Sequence, residues 1–315
     1  MGSGAELTLA APIGPQLRLS ARAIWRRELE RAGDILVQPG DRVDPETVVA
    51  ESRQPVAPVL VEIGRAELLV QPGNSVRGGE PLAQRKKLIG KGDFIQAPVA
   101  GMVLSQQGEE LLLQPPPLTA RLEAQLPGSV AAVQPGCGVD IGGAFGLLRG
   151  CAGGGAGAYG KLGEDIAVEP EPVSVDRVRS LAAQGIRAVV AASWTAGTVL
   201  PDTLPLTWLM TETAPGTPMA PPLADALRAH LGTPAAVQVG LHAWLGFTLH
   251  GARTDEAPAF GQGSWVRTAS GRAGKLASVD REPRIFASGL RGLAADVDLG
   301  DHTETVPFDT LEWIA

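Results

Sequence analysis

Apolar positions along much of this chain come in short runs closed by glycine, proline or charge, without the 3.6-residue recurrence of a helix. Val48-Val49-Ala50, Val59-Leu60-Val61-Glu62-Ile63, Leu68-Leu69-Val70, Phe94-Ile95-Gln96, Met102-Val103-Leu104 and Leu111-Leu112-Leu113 all have strand length, predicting β structure from Ile35 to about Ile141. Gln114-Pro115-Pro116-Pro117 interrupts it, because successive prolines cannot donate ladder hydrogen bonds. One phrase recurs: Val37-Gln38-Pro39-Gly40-Asp41-Arg42-Val43, Val70-Gln71-Pro72-Gly73-Asn74-Ser75-Val76 and Val133-Gln134-Pro135-Gly136-Cys137-Gly138-Val139. Each predicts strand, tight turn, strand, with proline presetting φ and glycine accepting a positive one.

The flanks read differently. Residues 1–34 predict a leader followed by a helix, with Ser20 as N-cap, Gly33 as stop, and Ala21, Ile24, Trp25 and Leu29 at roughly helical spacing. Arg22, Arg26, Arg27 and Arg31, interleaved with Glu28 and Glu30, then form a solvated charged face. Residues 142–164 are the glycine-richest stretch and predict a flexible connection. They are no phosphate loop, since Gly160-Lys161 is followed by Leu162 in place of a hydroxyl residue. Residues 165–250 alternate helix and apolar strand: helix 173–186, strands 186–192 and 206–211, helix 222–232 and strand 235–239.

In such a small α/β layer, ligands collect past the strand C-termini. That singles out Ser193 and Thr195 as phosphate ligands and Glu212 as an acid or base, with loop capping as the competing role for all three. No His, Lys or second carboxylate pairs with them along the chain, so no catalytic residue is assigned. His230, His242 and His250 lack compact metal spacing, and no metal or cofactor is expected.

Composition sharpens this picture. Forty glycines, 26 prolines and 4% aromatics fit many short strands, and 44% hydrophobic with 19% charged content indicates a globular chain. The net charge of −7 argues against nucleic-acid binding over the whole surface. Neither a signal-peptide pattern nor a membrane-length apolar run is present, so a cytoplasmic protein without a membrane span is expected. Cys137 and Cys151 form no Cys-x-x-Cys pair and are expected as reduced thiols.

Two resemblances follow. The first two turn phrases, with Gly79-Glu80-Pro81-Leu82-Ala83 and Ala97-Pro98-Val99-Ala100-Gly101-Met102-Val103, resemble the hammerhead repeat and return strand of lipoyl- and biotinyl-type barrel-sandwich hybrids. That family carries its cofactor on a hairpin lysine. Lys86, Lys87 and Lys91 stand near the place without the flanking pattern, so the resemblance implies an unmodified structural module. Gly263, Val266, Gly271, Gly274 and Val279 resemble a KOW motif in an SH3-like barrel, with Ala277 where the family has glycine. This implies RNA or protein binding. Its cationic candidates are Arg267, Arg272, Lys275, Arg281 and Arg284, and acidic residues follow from Asp296 to Glu312. The order as a whole also resembles an uncharacterised bacterial family that combines these two modules.

The sequence therefore predicts a multidomain β-rich protein (β + α/β). Its parts are a leader and helix (1–34), a barrel-sandwich-hybrid-like β module (35–141), a glycine-rich connection (142–164), a small α/β layer domain (165–250) and a KOW-like SH3 barrel (251–315). The expected function is non-enzymatic, with β modules docking on protein partners. The alternatives are RNA or ribosome association through the barrel, and a small-molecule or enzymatic site near 193–213.

Overall fold

Where a helix is expected near the start, the chain runs extended as β1 (Leu17–Glu28). The computed structural model describes residues 16–85, 93–251, 260–289 and 291–315, apart from the Arg281 side chain. A bulge between Ser20 and Ala23 resets the alternation of β1. Beyond it Ala23, Trp25 and Arg27 are buried, while Ile24, Arg26 and Glu28 face out. This two-residue period is that of a strand, and grouping Ile24 with Trp25 on one helical face conceals it. β1 pairs along its length with a central strand, and that tertiary pairing overrides the local helical pattern.

Two copies of a seven-stranded unit follow, one inside the other. The outer copy begins with β1, β2 (Asp34–Ile35), β3 (Arg42–Val43) and β4 (Val48–Gln54). The inner copy is β5 (Val59–Glu62), β6 (Glu67–Leu68), β7 (Ser75–Val76), β8 (Pro81–Arg85), β9 (Asp93–Gln96), β10 (Gly101–Gln107) and β11 (Glu110–Gln114). The outer copy then resumes with β12 (Leu118–Glu123), β13 (Gly128–Gln134) and β14 (Gly138–Arg149). In the outer copy β12-β4-β2 form one sheet, and β3, β13, β14 and β1 pair in another. The inner copy repeats this as β9-β8-β6 and β7-β10-β11-β5.

The repeated turns have the same bonds. The Gln38 N–H donates to Asp41 Oδ2 at 2.8 Å and the Gln71 N–H to Asn74 Oδ1 at 2.7 Å, with Gly40 and Gly73 at positive φ. Core positions match as well: Val43, Val49, Ala50, Ala124 and Val130 are buried in one copy, and Val76, Leu82, Ala83, Ala97 and Val103 in the other. The third phrase differs, being a plain hairpin between β13 and β14 closed by the Cys137 N–H on Gln134 O.

The expected flexible connection at 142–164 is a set of strands: most of β14, then β15 (Ala152–Gly154) and β16 (Ala158–Lys161). Its glycines make room for packing. A Cβ on Gly146 would meet the Phe247 ring at 2.2 Å, and one on Gly154 would meet Trp208 at 2.7 Å. Then come β17 (Ile166–Glu169), α1 (Val175–Ala183), β18 (Ala188–Ala191), β19 (Thr207–Met210), α2 (Pro221–Ala229), β20 (Pro234–Val239) and β21 (Ala243–Thr248). β17, β18 and β19 are parallel and apolar, and β15 joins β19 antiparallel. Ser174 caps α1 by accepting the Arg177 N–H. β20 and β21 extend the sheet of β14, so the boundary expected at 164/165 runs through one sheet. One core there unites Leu17, Leu148, Phe247, Leu223 and Leu227.

The last part is β22 (Trp265–Arg267), β23 (Ala273–Ile285), β24 (Arg291–Asp298), β25 (Thr303–Pro307), a 3-10 turn (Phe308–Thr310) and β26 (Glu312–Trp313). They form one sheet in the order β25-β24-β23-β22-β26 around Val266, Leu276, Val297 and Leu311. Just past β26 the chain bonds on both sides. Ile314 N–H donates to Trp265 O, and Leu17 N–H donates to Ile314 O. The architecture is thus mostly β, and among the described residues no helix is long and apolar enough to cross a membrane.

Candidate functional site

The expected ligand site and the expected RNA site meet in one buried network. Glu212, past the end of β19, and Arg267, at the end of β22, pair at 2.6 Å with side chains 1% and 3% exposed. Arg267 Nη1 also contacts Glu312 Oε2 at 2.6 Å, and Nη2 donates to Gln16 Oε1 at 3.1 Å. The Ala220 N–H donates to Glu212 Oε1 at 3.0 Å. Burial pushes the Glu212 carboxyl upward, against the pull of Arg267 and of that N–H. Arg267 is thus shielded from solvent, and Glu212 is engaged by Arg267 and by the Ala220 N–H. Together they fasten the C-terminal sheet to the α/β layer. Beside them Cys151 Sγ lies 3.2 Å from Met210 O, and burial pushes its thiol up to about 11 although part of the residue is exposed.

The other candidates are engaged too. Ser193 Oγ donates to Thr217 O at 2.8 Å, and the Thr195 and Thr198 hydroxyls pair at 2.8 Å, both loop-capping contacts. Arg272 binds both oxygens of Asp301, whose carboxyl it holds below the usual range. Arg284 pairs with Asp280, and the Lys275 ammonium lies 5.7 Å from the centre of the Trp265 ring. The Arg281 side chain and Lys86, Lys87 and Lys91 lie outside the described residues.

An open cleft lies elsewhere, along β1 and the β20–β21 hairpin. A groove of about 370 Å³ is walled by Ile24, Trp25, Leu147, Leu241 and Trp244. Ile24 is on the outward row of β1 and is 43% exposed; Leu241, on the hairpin tip, is 96% exposed. Trp25 lies against β21 where Gly246 leaves space, since a Cβ there would meet its ring at 2.8 Å. Next to Trp25 on β1, Arg26 is held by Asp140 of β14 through two bonds, of 2.8 and 3.2 Å.

A second cavity of about 360 Å³ adjoins the groove and shares Glu28 and Gln238 with it. It opens between β20 and the β12–β4 pair and is lined by Arg27, Ser52, Gln54, Arg121 and Gln125 among others. Arg27 is buried by its place in the inward row of β1, and burial pulls its guanidinium down to about 10. Reading Arg27 onto a solvated helix face hides this cavity. The signal that finds it is the Ala23, Trp25, Arg27 alternation.

No protein-family model matches the chain, and a search of curated proteins finds no match. What the cleft takes must be read from its chemistry.

Proposed function

We propose that this protein is a non-enzymatic assembly factor of the cytoplasm whose β modules dock on a protein partner through the groove beside β1. The observation that carries the reading is the open apolar wall formed by Ile24 and Leu241 over Trp25 and Trp244. Aromatic walls with a polar rim suit an extended protein segment presenting aliphatic side chains. The nested units support the barrel-sandwich-hybrid resemblance, in that turn, core and return strand recur together. The order β25-β24-β23-β22-β26, with a 3-10 turn before the last strand, supports the SH3-like resemblance of the C-terminal part.

RNA binding through that part is the weaker reading, because Arg267 is buried while Arg272 and Arg284 are neutralised by Asp301 and Asp280. Affinity capture from the native host, comparing wild type with an Ile24→Asp/Leu241→Asp variant and with and without nuclease, separates the two. A defined protein set that survives nuclease and falls about tenfold in the variant supports docking. Capture indifferent to the substitutions, or abolished by nuclease, contradicts it.

A further inference from the structure

One strip of the outward face of the inner sheet is apolar. Leu60 of β5 stands directly opposite Leu112 of β11, and Leu104 of β10 sits in the bulge facing Leu112, with Met102 beyond it on β10. Leu60 is 54%, Met102 44% and Leu104 38% exposed. Apolar side chains scattered singly over a surface need no explanation, but a row across three adjacent strands does. The outer unit supplies an internal control, because its strands pair in the same register. Arg26 and Asp140 occupy the positions of Leu60 and Leu112, Ala131 that of Leu104 and Ser129 that of Met102, down to the bulge after buried Val130 and Val103. There the cross-strand position holds a twice-bonded ion pair, and its neighbours are small or polar. The scaffold therefore does not require the leucines. Beside the row Glu62 and Glu110 are also directly opposite each other, and both are exposed. Among the described residues neither carboxylate has a hydrogen bond or an ion pair, and Arg65 of the turn after β5 is 3.7 Å from Glu109. Like charges set across a strand pair cost stability, which a cation between them relieves.

We infer that the outward face of the inner sheet is a second docking surface, which takes an aliphatic face of a partner protein carrying a lysine or arginine that reaches Glu62 and Glu110. The carboxylates disfavour a phosphate-bearing surface, whether nucleic acid or anionic lipid. A second copy fits less well. No outward side chain of β5, β7, β10 or β11 is a cation, so this face stacked on itself leaves the glutamates unmatched. The surface shares no residue with the groove beside β1, so the two stand or fall separately.

The test uses the whole chain in its native host, with a benzophenone photo-crosslinker in place of Leu104 and, as control, in place of Ala131. Position 104 should crosslink to one protein through a segment that carries aliphatic residues and a lysine or arginine, and position 131 should not. Adding Glu62→Gln/Glu110→Gln should lower the yield at 104 about tenfold, the scale of a desolvated charge pair. Leu60→Arg/Leu112→Asp, which gives the inner sheet the outer unit's own pair, should abolish it. If that graft fails to fold, the glutamine variant decides. Sedimentation of the purified chain should give the same mass for wild type and graft. No crosslink at 104, equal crosslinking at 131, or a yield indifferent to the glutamine substitutions overturns the surface. So does a crosslink to a second copy, or a wild-type dimer that the graft dissociates.

Discussion

Arg267 is tolerated in the interior because four carriers of negative charge or dipole surround it: Glu212, Glu312, Gln16 Oε1 and Thr211 O. Such a pair is costly to break from one side and cheap to replace as a whole. Arg267→Met should therefore destabilise the protein by ~3–5 kcal/mol, and Arg267→Met/Glu212→Leu should recover most of that loss, as read by denaturant unfolding. A double variant no more stable than the single one would show that the pair is not the coupling element. Both residues stand out in the sequence as charged groups at strand ends, but for separate purposes. Their partnership is invisible there, because it depends on how the C-terminal sheet docks against the α/β layer. Arg27 teaches the same lesson: its charge is plain, while its burial depends on β1 being a strand.

Elements were legible where one local rule governs them. Helix α1 shows its Ser174 cap and its Val178 and Leu181 stripe, and β18 its unbroken apolar run. The glycine-rich strands were not, because flexibility and close ring packing both call for a missing Cβ, and only the structure shows Phe247 against Gly146. Within the C-terminal sheet, Asp296 on β24 clamps two neighbouring strands. It accepts from Thr305 Oγ1 at 2.6 Å and from Ser278 Oγ at 2.9 Å, and these bonds, Thr305 first, hold its carboxyl below the ordinary value of 3.8. A depressed folded value means that the stabilisation is present above pH 3.8 and is lost as pH falls through the folded value. Thr305→Val should move the Asp296 titration, followed by its carboxyl carbon resonance, back toward the ordinary value, and should shrink the stability lost on acidification. An unchanged titration would place the cause elsewhere.

Across the whole molecule the organising fact is insertion. The inner unit enters between β4 and β12, the connection that corresponds within the inner unit to the link from β8 to β9. Repeated phrases in the sequence announce two related units, but not that one lies inside the other, because the third phrase, at the β13–β14 hairpin of the return half, has no counterpart at the corresponding β10–β11 turn. Nesting leaves β1 and β14 to serve two structures at once: they close the outer unit, and with β20 and β21 they form the sheet that walls the groove. The groove proposed above as a docking surface belongs to that shared sheet and not to the C-terminal sheet. Hydrogen–deuterium exchange on the complex isolated from the native host tests this most directly. The account predicts protection of Ile24–Glu28 and Gln238–Trp244 on partner binding, with Trp265–Ile285 unchanged. Protection confined to Trp265–Ile285, or none along β1, would contradict it.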